Sequence, residues 1–473
     1  MLFSARHVVF ALSFVALVLS PRVVSDPAEP TDPRVALRKY QPAFPRGTEA
    51  RLLADCRNVT KPEQYFAQVW LSAQAQLDRE GELLLVRPLI DLFGADGFGE
   101  RVPFSVPIPQ GLSPGTYYVT FGLSRSRHWR PKSLSARWST KIVVVDESFD
   151  RLDAELLRQQ LKPTFVDRGE ALRINMIRQT SHESATRTLS ILFPPGQPGG
   201  VQDVSGAAAN FLATGRYPLS EEVAVYQPGP AFWLAERKGP DMLEIHALRI
   251  LRILMEEYGR TQNRELLTRA IAYVDDWRQV SEIAAYHSPF VWQEHAVPER
   301  LVSLLMLIHA LPDEREFDDV YAKLLTDIGR HARLLAADGF YASWSNHGMY
   351  QMEALLAAAT TFDCFAEAAS WRAIALQRAG EFLEKKFHAD GGLDEGTASY
   401  SFIVLDKLLR IEAMRRISEP AVKLPKRLEN ACEFAIHTVK PNGPLWGFGE
   451  SFTRSPRFVY TRDLPPALRL PLE

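Results

Sequence analysis

The second half of the chain is dominated by apolar residues at helical spacing. From Met242 onward, apolar positions recur every three to four residues in segments such as MLEIHALRILRILMEEYG, ERLVSLLMLIHAL and FIVLDKLLRIEAMRR. The connections are short and carry Asp, Gly, Asn and Pro, so consecutive helices are predicted to be antiparallel neighbours. The hairpins share no motif at a fixed period, which argues against a solenoid. We predict an α/α toroid over residues 205–473.

Residues 45–147 show a different pattern, in which short alternating runs such as GTYYVTFGL and TKIVVVD are separated by Pro, Gly and Ser turns. This spacing predicts an immunoglobulin-like β sandwich. The Pro-rich residues 26–44 are predicted to be a linker, and the mixed residues 148–204 a connecting region. The fold class is thus multidomain, all-β followed by all-α. The β domain has no cluster of chemically active side chains, and we expect it to dock a protein partner or a ligand.

The N-terminal residues have the layout of an export signal. A basic start is followed by an apolar stretch over 8–19 and by small residues, with Val23 and Ser25 where a signal peptidase reads. Residues 1–25 are predicted to be removed, so that the mature chain starts at Asp26. The apolar stretch is shorter than the roughly 20 residues of a membrane span, although a retained anchor is the alternative. We expect a periplasmic or secreted protein without a membrane span after signal removal.

Composition excludes several classes of protein. Hydrophobic residues make up 46% of the chain and charged residues 24%, which is typical of a folded globular protein. The formal net charge is −2, and no basic run is present, so nucleic acid is not an expected partner. The three cysteines, Cys56, Cys364 and Cys432, lack metal-ligand spacing, and no metal or cofactor is predicted. Cys364 and Cys432 are expected to be buried thiols, with a disulfide as the alternative.

Three loop-to-helix junctions in the helical region concentrate polar residues. The first, SWSNHGMYQMEALL, places Asn346 and His347 at a helix start, after Trp344. If the helix begins near Asn346, then His347 and Gln351 lie one turn apart on one face. Asn is a common helix cap, and a histidine in a first turn is usually structural. This junction alone therefore does not indicate a site.

The other two junctions follow later in the chain. DGGLDEGTASYSF is a Gly-rich turn that contains Glu395 and ends in Tyr400 at the head of a helix. PNGPLWGFGESFTR is a loop with Trp446 and Arg454. Taken singly, the tyrosine is typical of a packing residue and the loop of a tight turn.

Taken together and in this order, the three junctions resemble the heparinase II/III and alginate lyase superfamily of polysaccharide lyases. Its members have Asn-His-Gly at the start of an inner toroid helix, then a Gly-rich segment with a catalytic tyrosine in Tyr-Ser or Tyr-His, then a Pro-Gly loop. Upstream, VWQEHAVPERLVSLL resembles the family's helix with Trp and Arg. The resemblance covers residues 291–454 and no part of the β domain.

The resemblance implies roles for individual residues. Asn346 and His347 match the pair that binds and neutralises a uronate carboxylate, and Tyr400 matches the catalytic tyrosine. The predicted substrate-binding residues are Arg300, Gln351, Trp292, Trp344, Glu395, Trp446 and Arg454, with the tryptophans as stacking platforms for sugar rings. Two features depart from the family pattern: the usual C-terminal β domain with its further histidine does not follow in this sequence, and Ser401 follows Tyr400, as in the alginate-cleaving branch.

β-Elimination from a uronate suits these residue types. A base removes the proton next to the carboxylate, and the glycosidic oxygen leaves from the neighbouring carbon. Asn346 and His347 offer N–H donors for the developing charge. Tyr400 acts as base when a cation, Arg300 or Arg454, stabilises its phenolate, and then as acid to the leaving oxygen. This chemistry requires no metal or cofactor, and its substrate is an anionic polysaccharide that contains uronic acid.

Two other functions remain open. A glycoside hydrolase on the same toroid needs two carboxylates that flank the scissile bond. The candidates for such a pair are Glu353, Asp394, Glu395 and Glu450. The second alternative is a non-catalytic protein that binds glycans or assists exopolysaccharide assembly, with a lyase-like toroid that has lost turnover.

Overall fold

The computed structural model describes most of the chain from residue 34 to residue 438. The described residues are 34–39, 43–57, 64–73, 82–88, 101–124, 134–167, 172–194, 203–219, 223–283, 288–343, 345–394 and 397–438. The predicted signal peptide therefore lies outside the described residues.

Strands form the N-terminal domain and one small hairpin. Their bounds are β1 Arg34–Lys39, β2 Ala43–Pro45, β3 Glu49–Arg57, β4 Phe66–Ser72, β5 Glu82–Pro88, β6 Arg101–Pro107, β7 Gly115–Ser124, β8 Leu134–Val145, β9 Arg216–Pro218 and β10 Val223–Val225. A sheet in the order β1-β3-β6 and a sheet in the order β2-β8-β7-β4-β5 make up the domain. The hairpin is β9 with β10.

The two larger sheets share one apolar core. Val119, Phe121 and Leu123 alternate along β7 and are buried against residues of the three-stranded sheet, such as Leu52 and Val106. This alternation is what the sequence pattern predicts for a strand with one face on a core. The prediction of a β domain is confirmed, whereas its immunoglobulin-like topology stays a prediction.

The prediction that residues 26–44 form a linker is wrong for the second half of this range. β1 pairs antiparallel with β3, from Arg34 opposite Arg57 to Lys39 opposite Leu52, and β2 pairs parallel with β8. The hydrogen bonds of a strand come from partners far along the chain. A Pro-rich local pattern cannot reveal them.

Helices make up the rest of the described chain. Their bounds are α1 Ala154–Gln160, α2 Ile174–Leu192, α3 Val204–Thr214, α4 Pro230–Leu234, α5 Gly239–His246, α6 Ile250–Thr261, α7 Arg264–Arg278, α8 Ala296–Ala310, α9 Asp318–Ala336, α10 His347–Thr361, α11 Ala368–Lys386, α12 Ala398–Ser418 and α13 Arg427–His437. No described helix combines the length and the apolar character that crossing a membrane requires.

From α6 onward the helices alternate between two layers. In the inner layer α6 packs on α8, α8 on α10 and α10 on α12, while α7, α9, α11 and α13 lie outside them. Because consecutive helices are antiparallel, every second helix points the same way, and the inner helices start at the same end. This two-layer order supports the predicted toroid-like helical domain. The described residues after 240 contain no parallel sheet.

The inner helix α10 is enclosed on all sides over most of its length. In α10 every residue of 351–361 is buried, which fits a helix that is apolar all round. One side of this layer is covered by α2, which packs against α8, α10 and α12. At its C-terminal end the carbonyl oxygen of Leu192 accepts a 2.8 Å hydrogen bond from Arg410 on α12. Residues 148–204 are thus not merely a connection, because α2 is part of the helical core.

One predicted helix is broken in the structure. The segment 242–259 reads as one helix, but α5 ends at His246 and α6 begins at Ile250. Leu248 between them has a φ of 52°, in the left-handed region that costs a non-glycine residue about 1–2 kcal/mol. Its side chain is fully buried, which holds the turn in place. This turn sets Arg249 at the start of α6.

The cysteines are separate in the structure. Cys56, Cys364 and Cys432 are free and buried, as expected for structural thiols. Burial raises the pKa of Cys364 to about 12, so this thiol is not a nucleophile at neutral pH.

Candidate functional site

The N-terminal ends of α6, α8, α10 and α12 gather the candidate residues at one end of the inner layer, which we call the rim. The residues that precede the first turn of these helices are Arg249, His295, Asn346 and Thr397, respectively. Helix N-termini carry partial positive charge and backbone N–H groups without helical partners. The rim is therefore a favourable environment for an anion.

Asn346 and His347 start α10, as the sequence predicts. The Asn346 side chain makes no capping hydrogen bond, and its backbone already has a helical φ of −60°. The backbone N–H of His347 instead reaches the Ser345 hydroxyl at 3.2 Å. At Gly348 a Cβ atom would lie 2.8 Å from the carbonyl oxygen of Ala342, so the loop passes close to the helix start. Helix capping thus does not account for the Asn346 amide.

The His347 ring is held by the two residues that precede α8. Its Nδ1 lies 3.3 Å from a carboxylate oxygen of Glu294. The His295 ring stacks on it with a centroid distance of 4.5 Å and an interplanar angle of 26°. His295 also contacts Tyr350, with ring centroids again 4.5 Å apart and an interplanar angle of 59°. We call these three aromatic rings next to Glu294 the column.

Burial fixes the protonation states of His295 and Tyr350. His295 is only 4% exposed, and burial, together with the neighbouring His347, lowers its pKa to about 3. His295 is therefore neutral at ordinary pH. Burial, helped by the charge of Glu299, raises the pKa of the Tyr350 phenol above its ordinary value, so this phenol keeps its proton.

Ion pairs lie beneath the column. The Glu299 carboxylate is 2.8 Å from a guanidinium nitrogen of Arg252 and 3.6 Å from Arg249. Burial alone would raise the pKa of Glu299, but these cations outweigh it and the pKa ends below its ordinary value. On the other side Lys407 of α12 lies 4.4 Å from the centre of the Tyr350 ring and pairs with Glu353 at 2.5 Å.

Tyr400 lies in the first turn of α12, as predicted. Thr397 caps this helix by accepting a 3.3 Å hydrogen bond from the Tyr400 backbone N–H. Lys407 follows Tyr400 by two turns and contacts α10 between Tyr350 and Glu353. At 1.5 Å per residue, Tyr400 and His347 therefore sit at the same end, offset by about 4 Å along the helix axes. Their close approach, within about 10 Å side chain to side chain, stays a prediction.

Gln351 is buried and bonded to backbone, which argues against the predicted contact with substrate. It is 1% exposed, and its carbonyl oxygen accepts a 2.8 Å hydrogen bond from the backbone N–H of Ala342. Its amide donates to the carbonyl oxygens of Glu294, at 3.1 Å, and Phe340, at 3.2 Å. Because both polar ends are occupied by backbone, Gln351 fastens the two loops of the rim together.

The prediction that Arg300 and Trp292 contact substrate is also wrong. Arg300 is fully buried, donates a 2.8 Å hydrogen bond to His331 and stacks on Trp277 and Trp292. Burial, with Arg330 nearby, lowers the pKa of Arg300 well below its usual range. Trp292 is 5% exposed, and its indole N–H reaches the carbonyl oxygen of Ser281 at 2.9 Å. Both residues belong to the interior between α7, α8 and α9.

Four predicted substrate-binding residues lie outside the described residues, namely Trp344, Glu395, Trp446 and Arg454. Of the carboxylates considered for a hydrolase, Glu353 is 3% exposed and paired with Lys407 and Arg410, while Asp394 is exposed next to His388. Within the described ranges these two do not form a facing pair. The described residues contain no group of three or more His, Cys, Asp or Glu side chains that could hold a metal ion.

Residues 254–463 match the protein family described as Heparinase II/III N-terminus. The resemblance to heparinase II/III proteins is confirmed over these residues. The matched range begins within α6 and extends beyond α13, so this heparinase II/III-like region contains Asn346, His347 and Tyr400. No protein with a curated description matches the sequence.

Among solved structures, the chain is similar to heparinase III, with 15% identity and a TM-score of 0.49 over 64% of this chain and 51% of that enzyme. It is also similar to the heparan sulfate lyase HepC from Pedobacter heparinus, with 17% identity and a TM-score of 0.49 over 59% of this chain and 46% of HepC. The chain thus spans about half the length of heparinase III.

The sequence analysis predicts no site role for Glu294, His295 and Tyr350, which the structure places at the rim. The signal was present in QEHAVPER, where a Glu-His pair comes directly before a helix, like the Asn-His pair before α10. The family resemblance points instead to Trp292 and Arg300 of the same segment. The period of the helix does not tell which of its residues point outward at the rim and which point into the interior.

Proposed function

We propose that this protein is a polysaccharide lyase that cleaves uronate-containing chains by β-elimination without a metal. The observation that carries this proposal is the rim, where Asn346 and His347 start one inner helix and Tyr400 starts the next. The amide of Asn346 is not used for helix capping, and His347 is held by Glu294 and His295. The match of this region to the heparinase II/III family supports the same chemistry.

In the proposed reaction, Asn346 and His347 bind the uronate carboxylate and stabilise the charge that develops on it. The Tyr400 phenolate takes the proton from the carbon next to the carboxylate. The electron pair of that bond forms the double bond, and the glycosidic bond to the neighbouring carbon breaks. The leaving oxygen then takes the proton from the Tyr400 phenol, which restores the phenolate. Arg300 is buried and is not the cation that assists Tyr400, and Arg454 lies outside the described residues.

The test is incubation with a panel of alginate, polyglucuronate and glycosaminoglycans. A lyase produces unsaturated ends, so we expect ultraviolet absorbance to rise with at least one polymer, and a variant with His347→Ala and Tyr400→Phe to give none. New reducing ends without absorbance would indicate a hydrolase. Binding without either product would favour the alternative of a glycan-binding or assembly protein.

We also propose that the protein is exported, because the N-terminal residues are typical of a cleaved signal. N-terminal sequencing of protein recovered outside the cytoplasm should find Asp26 as the first residue. Recovery of Met1 on that protein would contradict cleavage and favour a retained anchor. A protein partner for the β domain stays a prediction.

A further inference from the structure

Glu294 lies at the rim and contacts the side chain of His347 directly. The distance between its carboxylate oxygen and Nδ1 of His347 is 3.3 Å. The side chain of Glu294 is 32% exposed and that of His347 is 14% exposed. An ionised carboxylate only accepts hydrogen bonds, so the proton of this contact belongs to Nδ1. The other ring nitrogen, Nε2, is on the edge that faces away from Glu294.

The position of Glu294 relative to His347 is fixed by a buried amide. Gln351 lies one turn after His347 on α10, and its amide nitrogen donates to the backbone carbonyl oxygen of Glu294 at 3.1 Å. The same amide group is bonded to the backbone of Phe340 and Ala342. The loop before α8 is therefore tied to the helix that carries His347. A side chain whose backbone is held in this way is well suited to orient another side chain.

The face of the ring is fixed as well. His295 stacks on His347 and is 4% exposed, and its neutral state means that it adds no charge to the column. Edge and face contacts together leave the His347 ring with one orientation. Both contacts come from the adjacent residues Glu294 and His295, immediately before the first turn of α8.

We propose that Glu294 is a positioning residue that keeps a proton on Nδ1 of His347, so that Nε2 is the atom that meets the substrate. This inference rests on the proposed lyase function. A neutral ring with its proton on Nδ1 offers only a lone pair at Nε2, which repels a carboxylate. His347 therefore neutralises the uronate carboxylate as an imidazolium, with Nε2–H directed at the substrate and Glu294 as counter-ion on the opposite edge. In this arrangement His347 both starts α10 and directs an N–H proton at the substrate.

The first measurement reads the ring directly and needs no turnover. Long-range proton–nitrogen correlation spectra of the full chain with labelled histidines should show a proton on Nδ1 of His347, assigned through its loss in His347→Ala. In Glu294→Ala this preference should disappear. In Glu294→Gln it should be partly retained, since an amide oxygen can still accept from Nδ1. A His347 ring that carries its proton on Nε2 alone in the wild-type protein would overturn the proposal.

The second measurement uses the polymer that the wild-type protein cleaves. Loss of an orienting carboxylate should lower kcat of Glu294→Ala by about 10²-fold with a smaller change in KM, because Tyr400 and Asn346 remain. Glu294→Gln should recover part of this loss. Glu183→Ala is the matched control, since this carboxylate is 75% exposed on α2 and far from the rim. Wild-type kcat in Glu294→Ala would overturn the positioning role.

The two measurements separate the two proposals. If no uronate polymer is cleaved by the wild-type protein, the lyase function fails, while the nitrogen spectra still decide whether Glu294 sets the proton on His347. If cleavage occurs but the spectra show no dependence on Glu294, the lyase function stands and the positioning role is wrong. Equal unfolding midpoints of both Glu294 variants and the wild-type protein would exclude a loss of fold as the cause.

Discussion

Tyr400→Phe is expected to abolish turnover while binding of the uronate polymer stays nearly unchanged. The phenol oxygen is the only atom removed, and in the proposed reaction it both takes and returns the proton. A positioned acid–base group contributes about 10²–10⁴-fold to the rate, so kcat should fall by that factor. Because the hydroxyl matters chiefly in the transition state, KM should change little. Initial rates of absorbance increase, together with a binding isotherm, measure the two effects.

The matched control is Tyr117→Phe in the β domain. Its hydroxyl donates a 2.9 Å hydrogen bond to the carbonyl oxygen of Ser113 at the protein surface, so the variant removes the same atom far from the rim. His347→Ala, in contrast, should weaken both binding and turnover, since it removes a contact to the carboxylate. Wild-type turnover in Tyr400→Phe would end the proposed mechanism.

The helix starts of the site could be predicted from the sequence because they depend on local signals. Asn346 before α10 and Thr397 before α12 lie where a polar residue precedes an apolar period, and both helices begin there. The order of inner and outer helices also follows from short connections. These features need no knowledge of which distant residues meet.

The contacts inside the site could not be predicted in the same way. Glu294 meets His347 across 53 positions of sequence, and Arg300 meets His331 across 31. Which face of α8 points to the rim depends on packing against α6, α9 and α10. The family resemblance implies a substrate-binding role for Arg300, but the structure places its guanidinium over the rings of Trp277 and Trp292. The turn at Leu248 is a similar case, because its strained backbone is held by burial of the side chain.

The buried group around Arg300 is a charged interior in which Asp327 is the carboxylate shared by Arg278 and Arg330. Asp327 is fully buried and accepts hydrogen bonds from Arg278 at 2.8 and 2.6 Å. Its other oxygen lies 3.0 Å from Arg330, which in turn stacks on Trp292. The Arg300 guanidinium has no carboxylate in hydrogen-bond contact among the described residues, and it donates instead to neutral His331 and to the carbonyl oxygen of His246. Three cations thus share a region with one fully buried carboxylate.

Asp327→Ala is consequently expected to lower the free energy of unfolding by about 3–5 kcal/mol, the usual effect of removing one partner of a buried ion pair. The loss is large because Arg278 and Arg330 would lose their fully buried partner and keep only the more exposed Asp275 and Asp150. Urea denaturation of the full chain measures it. Asp275→Ala is the matched control, because Asp275 pairs with the same Arg278 but is 52% exposed, and an exposed pair contributes at most about 1 kcal/mol. Equal losses in the two variants would show that burial does not determine the stability of this interior. A selective loss in Asp327→Ala would show that the buried carboxylate stabilises the interior in which Arg330 packs on Trp292.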